Sequence, residues 1–236
     1  MDFFYHAYPA LASARLPATV FVASGYVDCP VCFWSDILTR IFLLPASLPP
    51  ELELMVHGTR YHWPVTSPEE RQRAHQAVYD LLMPLRNAEQ ADVLADLGHW
   101  AGIEQRWWPE DRVMTSSELV ALAQGGLIDL GAHTVSHPKL STLPADDQYA
   151  EILGSRQRME AISGRPIVNF SYPHGTSEDF TEDTVRLVEK VGFAAACTAV
   201  PGVVDARSQL LQLRRNWVGN WDIETFRKNL DWFFLQ

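Results

Sequence analysis

The most informative stretch of this sequence is Leu127-Ile-Asp-Leu-Gly-Ala-His-Thr-Val-Ser-His-Pro138. Its first six residues have the apolar character of a short strand. Two histidines four residues apart, His133 and His137, often form a metal pair on a helix, but here a strand precedes them and a proline follows. No Glu stands directly after His133, so the helical zinc-protease pattern is absent. The stretch therefore predicts a strand followed by a loop that carries both histidines.

Segments of strand and helix character alternate on both sides of this stretch. The run Ala18–Ala23 is continuously apolar with β-branched residues, which is typical of a strand buried on both faces of a parallel sheet. Further strands are predicted at 166–170, 193–198 and 210–218, a hairpin at 51–63, and helices at 2–14, 33–44, 67–82, 87–98, 119–124, 144–163, 178–191 and 222–234. Repeated strand–helix units predict an α/β fold with a parallel sheet, either a barrel or a doubly wound sheet.

The domain organisation follows from where this alternation is interrupted. Residues of about 45–112 break it and are interpreted as a mainly helical insertion in a single domain spanning 1–236, because no segment has the composition of a linker. The chain also begins with a helix that leads into the first predicted strand. Two explanations stay open: a fold that starts with a helix, or a first strand that is absent from this chain.

Composition narrows the classes of partner. With 236 residues, 47% of them hydrophobic and 20% charged, the chain has the composition of a globular protein rather than a disordered or fibrous one. A formal net charge of −10 disfavours nucleic acid and anionic membrane surfaces as partners but is compatible with a neutral sugar. Neither a membrane span nor a signal peptide is recognisable, so a cytoplasmic location is the default expectation.

Two segments at strand ends carry the candidate chemistry. Two neutral imidazoles, His133 and His137, suit Zn²⁺ or a similar metal, and Thr134 and Ser136 are expected to fix their loop by hydrogen bonds. The alternative is a pair of structural histidines. The second segment is Phe170-Ser-Tyr-Pro-His-Gly175, where proline and glycine favour an unusual backbone whose exposed N–H groups could form an oxyanion hole. The alternative there is an ordinary turn between strand and helix.

Taken together, these segments resemble the polysaccharide deacetylase family, which is also called carbohydrate esterase family 4 or the nodulation-protein-B homology domain. The resemblance extends over nearly the whole chain and rests on segments 17–22, 131–138, 164–166, 170–175 and 213–215. It implies a deformed (β/α) barrel, usually of seven strands, that removes acetyl groups from N-acetylated oligo- or polysaccharides.

The resemblance also implies a set of site residues. A divalent metal, commonly zinc, is expected to be held by an aspartate together with His133 and His137. The backbone N–H at His174, where the family commonly has Tyr, is expected to stabilise the oxyanion. Arg215, with Arg214 as the alternative, corresponds to the arginine that orients the catalytic base. Substrate binding is assigned to the neighbouring residues Tyr172 and Pro173.

Two family motifs have no match in this sequence. The Thr-Phe-Asp-Asp-Gly motif, which supplies the base and the metal-binding aspartate, would lie upstream of Met1, and Asp2 is not assigned to either role. The Leu-x-His motif that supplies a general acid is not found before Gln236, which leaves His174 as a candidate proton donor. Two hypotheses follow: a metal-dependent deacetylase, or a truncated or non-catalytic relative that binds carbohydrate or acts as a scaffold. An unpaired edge on the 18–23 strand further predicts a homo-oligomer.

Overall fold

The computed structural model describes residues 3–103 and 108–234. These residues form two compact units, one built mainly from Tyr26–Thr115 and the other from His6–Gly25 and Ser116–Gln236. The strands are β1 (Ala18–Val22), β2 (Glu51–Val56), β3 (Thr59–Pro64), β4 (Ile128–Ala132), β5 (Asn169–Ser171) and β6 (Ala195–Cys197). The helices are α1 (Tyr8–Ala14), α2 (Trp34–Leu43), α3 (Pro68–Leu82), α4 (Asn87–Ala101), α5 (Ser116–Gln124), α6 (Ala145–Ser163), α7 (Glu182–Val191) and α8 (Ile223–Phe233).

A parallel sheet in the order β1-β4-β5-β6 is the framework of the second unit. Helix α6 connects β4 to β5, and α7 connects β5 to β6. The carboxyl ends of parallel strands lie at the same edge of a sheet, so the segments after β4 and β5 emerge side by side. The predicted α/β fold with a parallel sheet is confirmed. Within the described ranges the sheet runs from β1 to β6 and is not closed into a barrel.

The first unit packs α2, α3 and α4 with the β2–β3 hairpin around its own apolar core. Leu38 and Phe42 on α2, Leu82 on α3 and Leu97 on α4 are fully buried there. Ser67 caps α3: its side chain accepts a hydrogen bond from Glu70 N–H, while the Glu70 carboxylate accepts one from Ser67 N–H. The predicted hairpin and helices of this region are present. That this region is an insertion in a single domain stays a prediction.

Two predicted elements differ from the structure. The strand expected at 210–218 is replaced by a short 3₁₀ turn and a single parallel bridge between Leu213 and Cys197. The pairing stops there because the next backbone donor, Arg215 N–H, bonds Val200 beyond the end of β6. Helix α7 begins at Glu182 rather than 178, because the Thr181 side chain accepts a hydrogen bond from Thr184 N–H and caps the first turn.

Among the described residues, none of the helices has the length and apolar character needed to span a bilayer.

Candidate functional site

The histidine loop directly continues β4. His133 N–H donates to the carbonyl of Val22, extending the β1–β4 pairing by one residue. Thr134 and His137 both have left-handed backbones, with φ of 64° and 61°. Such a conformation costs a non-glycine residue roughly 1–2 kcal/mol, so the surrounding contacts must hold the loop in place. Thr134 is fully buried, and its hydroxyl accepts a 3.0 Å hydrogen bond from His137 N–H. The expected role of Thr134 in fixing the loop is therefore confirmed.

The structure brings the two predicted metal-binding histidines together. Their ring centroids lie 4.7 Å apart with the ring planes at 70°. Nδ1 of His133 lies 2.6 Å from the carbonyl oxygen of Ser171. A carbonyl oxygen only accepts, so Nδ1 carries the proton and Nε2 keeps its lone pair. Metal-binding histidines in proteins are commonly oriented by such a hydrogen bond from the second ring nitrogen.

Both imidazoles are neutral near pH 7. Burial, together with the nearby positive charge of Arg215 and the His174 ring, lowers the pKa of His133 to about 4, against the opposing effect of the Ser171 carbonyl. Burial lowers the pKa of His137 to about 3, with added repulsion from His133 and His174. A ring nitrogen must be unprotonated to bind a metal. The pair is therefore in the required form over the physiological pH range.

His174 lies beside this pair in a tight turn. Gly175 N–H donates to the carbonyl of Pro173 at 2.6 Å, which closes a three-residue turn around His174, whose φ is 57°. The rings of His174 and His137 are 4.8 Å apart, and burial lowers the pKa of His174. Within residues 3–103 and 108–234, His174 N–H donates to no protein acceptor. That amide is thus available to a ligand.

The two residues assigned to substrate binding, Tyr172 and Pro173, are both buried. The Tyr172 side chain is 1% exposed, stacks on Phe180 at 4.2 Å, and its hydroxyl donates to the Leu211 carbonyl at 2.9 Å. Burial also raises the pKa of Tyr172. The side chain thus packs in the core against Phe170 and Phe180, and its role in substrate binding stays a prediction. Pro173 is buried as well and contributes the carbonyl that shapes the turn.

Arg215 is bound to the same strand end as His133. Its guanidinium donates to Ser171 Oγ at 2.9 Å and to the Thr198 carbonyl at 2.7 Å, and it lies over the ring of Phe21. Its hydrogen-bond partners in the described residues are therefore a hydroxyl and a carbonyl, not a carboxylate. The predicted role of orienting a catalytic base stays a prediction.

Sequence reasoning missed several residues that shape the site. Ser171 supplies both the carbonyl for His133 and the hydroxyl for Arg215. Glu151 on α6 accepts hydrogen bonds from the histidine loop. Asp179, which is 4% exposed, accepts from Thr176 and lies 3.3 Å from Lys139 Nζ. Only the alternation of Phe170, Ser171 and Tyr172 could have pointed to Ser171, since it places Ser171 on the face opposite the two aromatic rings.

The donor set was compared with the requirements of a divalent metal. Two neutral imidazoles, one already oriented by the Ser171 carbonyl, fit a borderline ion such as Zn²⁺. Structural zinc sites usually have four protein ligands and catalytic ones three. In the part of the chain that the structure describes, no group of three or more His, Cys, Asp or Glu is arranged to hold a metal ion. His133 and His137 thus fit such a site as two of its ligands.

The sequence of this region was compared with known families. Residues 94–196 match the family model described as polysaccharide deacetylase. This part of the chain resembles the polysaccharide deacetylase family. The matched range contains His133, His137 and the turn at His174, whereas Arg215 lies outside it. The predicted family resemblance is confirmed.

A curated protein is similar to part of the chain. Over 102 residues the chain is 26% identical to "Putative polysaccharide deacetylase YxkH" of Bacillus subtilis (strain 168), which covers 43% of this chain and 35% of that protein. The chain thus spans about a third of that relative's length.

The structural comparisons extend over more of the chain. IcaB from Ammonifex degensii aligns with a TM-score of 0.56 and 14% identity over 98% of this chain and 68% of its own. A de-N-acetylase from Aggregatibacter actinomycetemcomitans aligns with a TM-score of 0.54 and 11% identity over 96% of this chain and 70% of its own. The deacetylase domain of BpsB from Bordetella bronchiseptica aligns with a TM-score of 0.52 and 18% identity over 91% of this chain and 66% of its own. At these identities the likeness shows a shared fold.

Proposed function

We propose that this polysaccharide deacetylase relative is a metal-dependent hydrolase that removes N-acetyl groups from a sugar polymer or a related amide. The observation that carries the proposal is the pair of neutral imidazoles, His133 and His137, with ring centroids 4.7 Å apart at the carboxyl end of β4. The family match of residues 94–196 and the names of the relatives support the reaction type. We propose Zn²⁺ as the metal, because imidazole nitrogen is among its preferred ligands.

Each site residue has a proposed role in amide hydrolysis. When bound, a divalent metal supplies a Lewis acid for the amide carbonyl and lowers the pKa of a water molecule. His133 and His137 hold the metal through ring nitrogens, and the Ser171 carbonyl fixes the tautomer of His133. The unpartnered His174 N–H is directed to the oxygen that gains negative charge, as in other oxyanion holes. The neutral imidazole of His174 accepts a proton from the attacking water and then donates it to the departing amine.

The surface formed by the segments after β5 and β6 suits a neutral, hydroxyl-rich substrate. A surface cavity of about 540 Å³ has Ser177, Thr181, Glu182, Thr198 and Arg214 in its lining, which come from the parts of the chain that follow β5 and β6. Three of these side chains carry hydroxyl groups, and the charges of Glu182 and Arg214 are opposite. The lining therefore offers hydrogen-bond donors and acceptors without a net charge. The formal net charge of −10 also favours an uncharged ligand over a nucleic acid. An N-acetylated oligo- or polysaccharide is the substrate class that we propose.

The test begins with metal binding. Wild type, His133→Ala and the control His99→Ala, which removes an exposed histidine of α4, are titrated with Zn²⁺ by calorimetry. The proposal expects one-to-one binding by wild type and His99→Ala that is lost in His133→Ala. Acetate release from an N-acetylated glucosamine oligomer is then measured with the same three proteins. Full acetate release by His133→Ala would contradict the proposal.

A second candidate function is a non-catalytic relative that binds carbohydrate or serves as a scaffold. It is favoured by the observation that, among the described residues, no group of three ligands is arranged to hold a metal. This candidate expects the same N-acetylated oligomer to bind wild type without acetate release, at an affinity that Zn²⁺ and His133→Ala leave unchanged. Acetate release that requires Zn²⁺ would favour the deacetylase.

A further inference from the structure

The loop that carries the histidines is held by a carboxylate from a different element. Glu151, on α6, accepts hydrogen bonds through Oε2 from Val135 N–H at 2.8 Å and Ser136 N–H at 2.9 Å. Its Oε1 accepts from the Ser136 hydroxyl at 2.6 Å. One side chain therefore binds two consecutive backbone donors and the hydroxyl between His133 and His137.

Two carbonyls of this loop are bound by backbone N–H groups. The carbonyls of Thr134 and Val135 accept hydrogen bonds from Ser24 N–H at 3.1 Å and Gly25 N–H at 2.8 Å. The carbonyl side of the loop is thus tied to the chain after β1, and its N–H side is tied to Glu151. A side-chain substitution at position 151 therefore removes the attachment of the N–H groups and leaves the attachment of the carbonyls in place.

The loop also lies close against α6. A Cβ added at Gly154, three residues after Glu151, would stand 3.1 Å from a methyl group of Val135. Since residues three apart share a helix face, the same face of α6 supplies the carboxylate and the space for Val135. This close approach keeps the loop within hydrogen-bonding reach of Glu151.

The loop conformation requires such an attachment. Thr134 and His137 flank the two residues bound by Glu151, and both have left-handed backbones. Without acceptors for the N–H groups of Val135 and Ser136, the left-handed residues Thr134 and His137 would relax to ordinary backbone angles. The His137 ring would then turn away from His133. We propose that Glu151 is a positioning residue that holds loop 134–137 in the conformation that sets the two imidazoles side by side.

The first test uses the metal-free full chain and does not depend on the proposed function. Amide hydrogen exchange of Val135 and Ser136 and the ring resonances of His133 and His137 are measured by NMR in wild type, Glu151→Ala and Glu151→Gln. The matched control is Glu160→Ala, which removes a carboxylate of α6 that accepts from Ile167 N–H and Arg156 instead. We expect exchange about tenfold or more faster, with shifted ring resonances, in Glu151→Ala but not in Glu160→Ala. Unchanged exchange and resonances in Glu151→Ala would overturn the proposal.

Conservative variants separate hydrogen bonding from charge. The amide oxygen of Glu151→Gln keeps an acceptor for both N–H groups, and its NH₂ has the Ser136 hydroxyl as acceptor, so we expect near wild-type behaviour. Glu151→Asp keeps the charge but is one methylene shorter, so we expect it to lose the contacts. If Glu151→Ala does not fold, the results for Glu151→Gln and Glu151→Asp decide whether Glu151 holds the loop. A wild-type-like Glu151→Asp beside an impaired Glu151→Gln would mean that charge matters, which overturns the proposal.

A second measurement, which rests on the proposed function, is zinc affinity. If wild type binds Zn²⁺, we expect Glu151→Ala to bind it about 10- to 100-fold more weakly than Glu160→Ala does, as for other residues that orient metal ligands. Equal affinities would overturn the positioning role whatever the exchange rates show. If wild type does not bind Zn²⁺, the proposed function fails, and the metal-free NMR result alone decides on Glu151.

Discussion

Ser171 joins His133 and Arg215 through different atoms: its carbonyl oxygen accepts from His133 Nδ1 at 2.6 Å, and its hydroxyl accepts from Arg215 at 2.9 Å. His133 follows β4, Ser171 ends β5, and Arg215 comes from the segment after the bridge at Leu213. Three segments that are far apart in the chain therefore meet at one buried serine. The orientation of the first histidine depends on contacts that no single segment provides.

The link between Ser171 and Arg215 is expected to be cooperative. Arg215→Ala leaves Ser171 Oγ and the Thr198 carbonyl without their donor, and we expect it to lower the free energy of unfolding by about 1.5–3 kcal/mol. Ser171→Ala removes only the hydroxyl, so its effect should be about 1 kcal/mol. In a double-mutant cycle by urea denaturation, we expect a coupling of about 0.5–1.5 kcal/mol between the two changes.

Arg214→Ala is the matched control for this cycle. Arg214 lines two surface cavities, and its removal should change stability by about 0.5 kcal/mol or less. A coupling near zero between Ser171 and Arg215, or an equal effect of Arg214→Ala, would show that the hydroxyl contact does not contribute.

The half-buried histidines His133 and His137 predict how stability depends on pH. The pKa values of His133 and His137 fall to about 4 and about 3 in the folded protein, below the ordinary value of 6.5. Between about pH 6.5 and 4 the unfolded chain binds protons that the folded protein does not, so acidification favours unfolding. We expect the free energy of unfolding of the metal-free protein to fall as pH is lowered from 7 to 4.5, at up to about 1.4 kcal/mol per pH unit for each histidine.

His133→Asn isolates one of these contributions. The asparagine NH₂ group keeps a donor for the Ser171 carbonyl but does not titrate. Urea denaturation at pH 7, 6, 5 and 4.5 should therefore give a shallower acid dependence for His133→Asn than for wild type. Parallel curves for the two proteins would show that His133 titrates alike in the folded and unfolded states.

Local sequence patterns predicted the fold framework and the loop, because both depend on neighbours in the chain. The apolar run at β1, the helix expected from about residue 67 and the strand before His133 are short-range signals, and the structure has all three. The buried position of Tyr172 could also have been predicted from the sequence, since residues two apart in an extended segment share a face and Phe170 is a core residue.

The contacts of Glu151 and Ser171 could not be predicted in this way. Glu151 is one of several acids on α6, and its reach to Val135 depends on how that helix lies against the loop. Likewise, the Ser171 contact with His133 arises from the pairing of β4 with β5, in which Ala132 is opposite Phe170. Such contacts require the tertiary arrangement, which the sequence pattern alone does not contain.

The turn at His174 is expected to depend on Gly175. An added Cβ there would stand 2.8 Å from the backbone nitrogen of Ala199 and 3.1 Å from the Tyr172 carbonyl, at a φ of 78°. Gly126 has nearly the same φ, 76°, but open space around it. We expect Gly126→Ala to cost about 1–2 kcal/mol for the left-handed backbone, and Gly175→Ala to cost about 1–3 kcal/mol more for overpacking. Equal losses in thermal or urea denaturation would mean that the turn has room for a methyl group.

The free edge of β1 predicts self-association. In the described part of the sheet β1 pairs on one side with β4, and Ala18 N–H donates to the Leu127 carbonyl on that side. Because donors alternate along a strand, Thr19 N–H points to the opposite edge, where a second copy could add a strand.

A proline at position 19 tests this without removing a β1–β4 hydrogen bond, since the ring replaces an N–H on the outer edge. Thr19→Val is the matched control, because it keeps the N–H and a β-branched side chain. We expect light scattering to show concentration-dependent dimers for wild type and Thr19→Val and a larger monomer fraction for Thr19→Pro. A wild type that stays monomeric over the full concentration range would contradict the predicted homo-oligomer, whereas equal association of all three proteins would place the interface elsewhere than on β1.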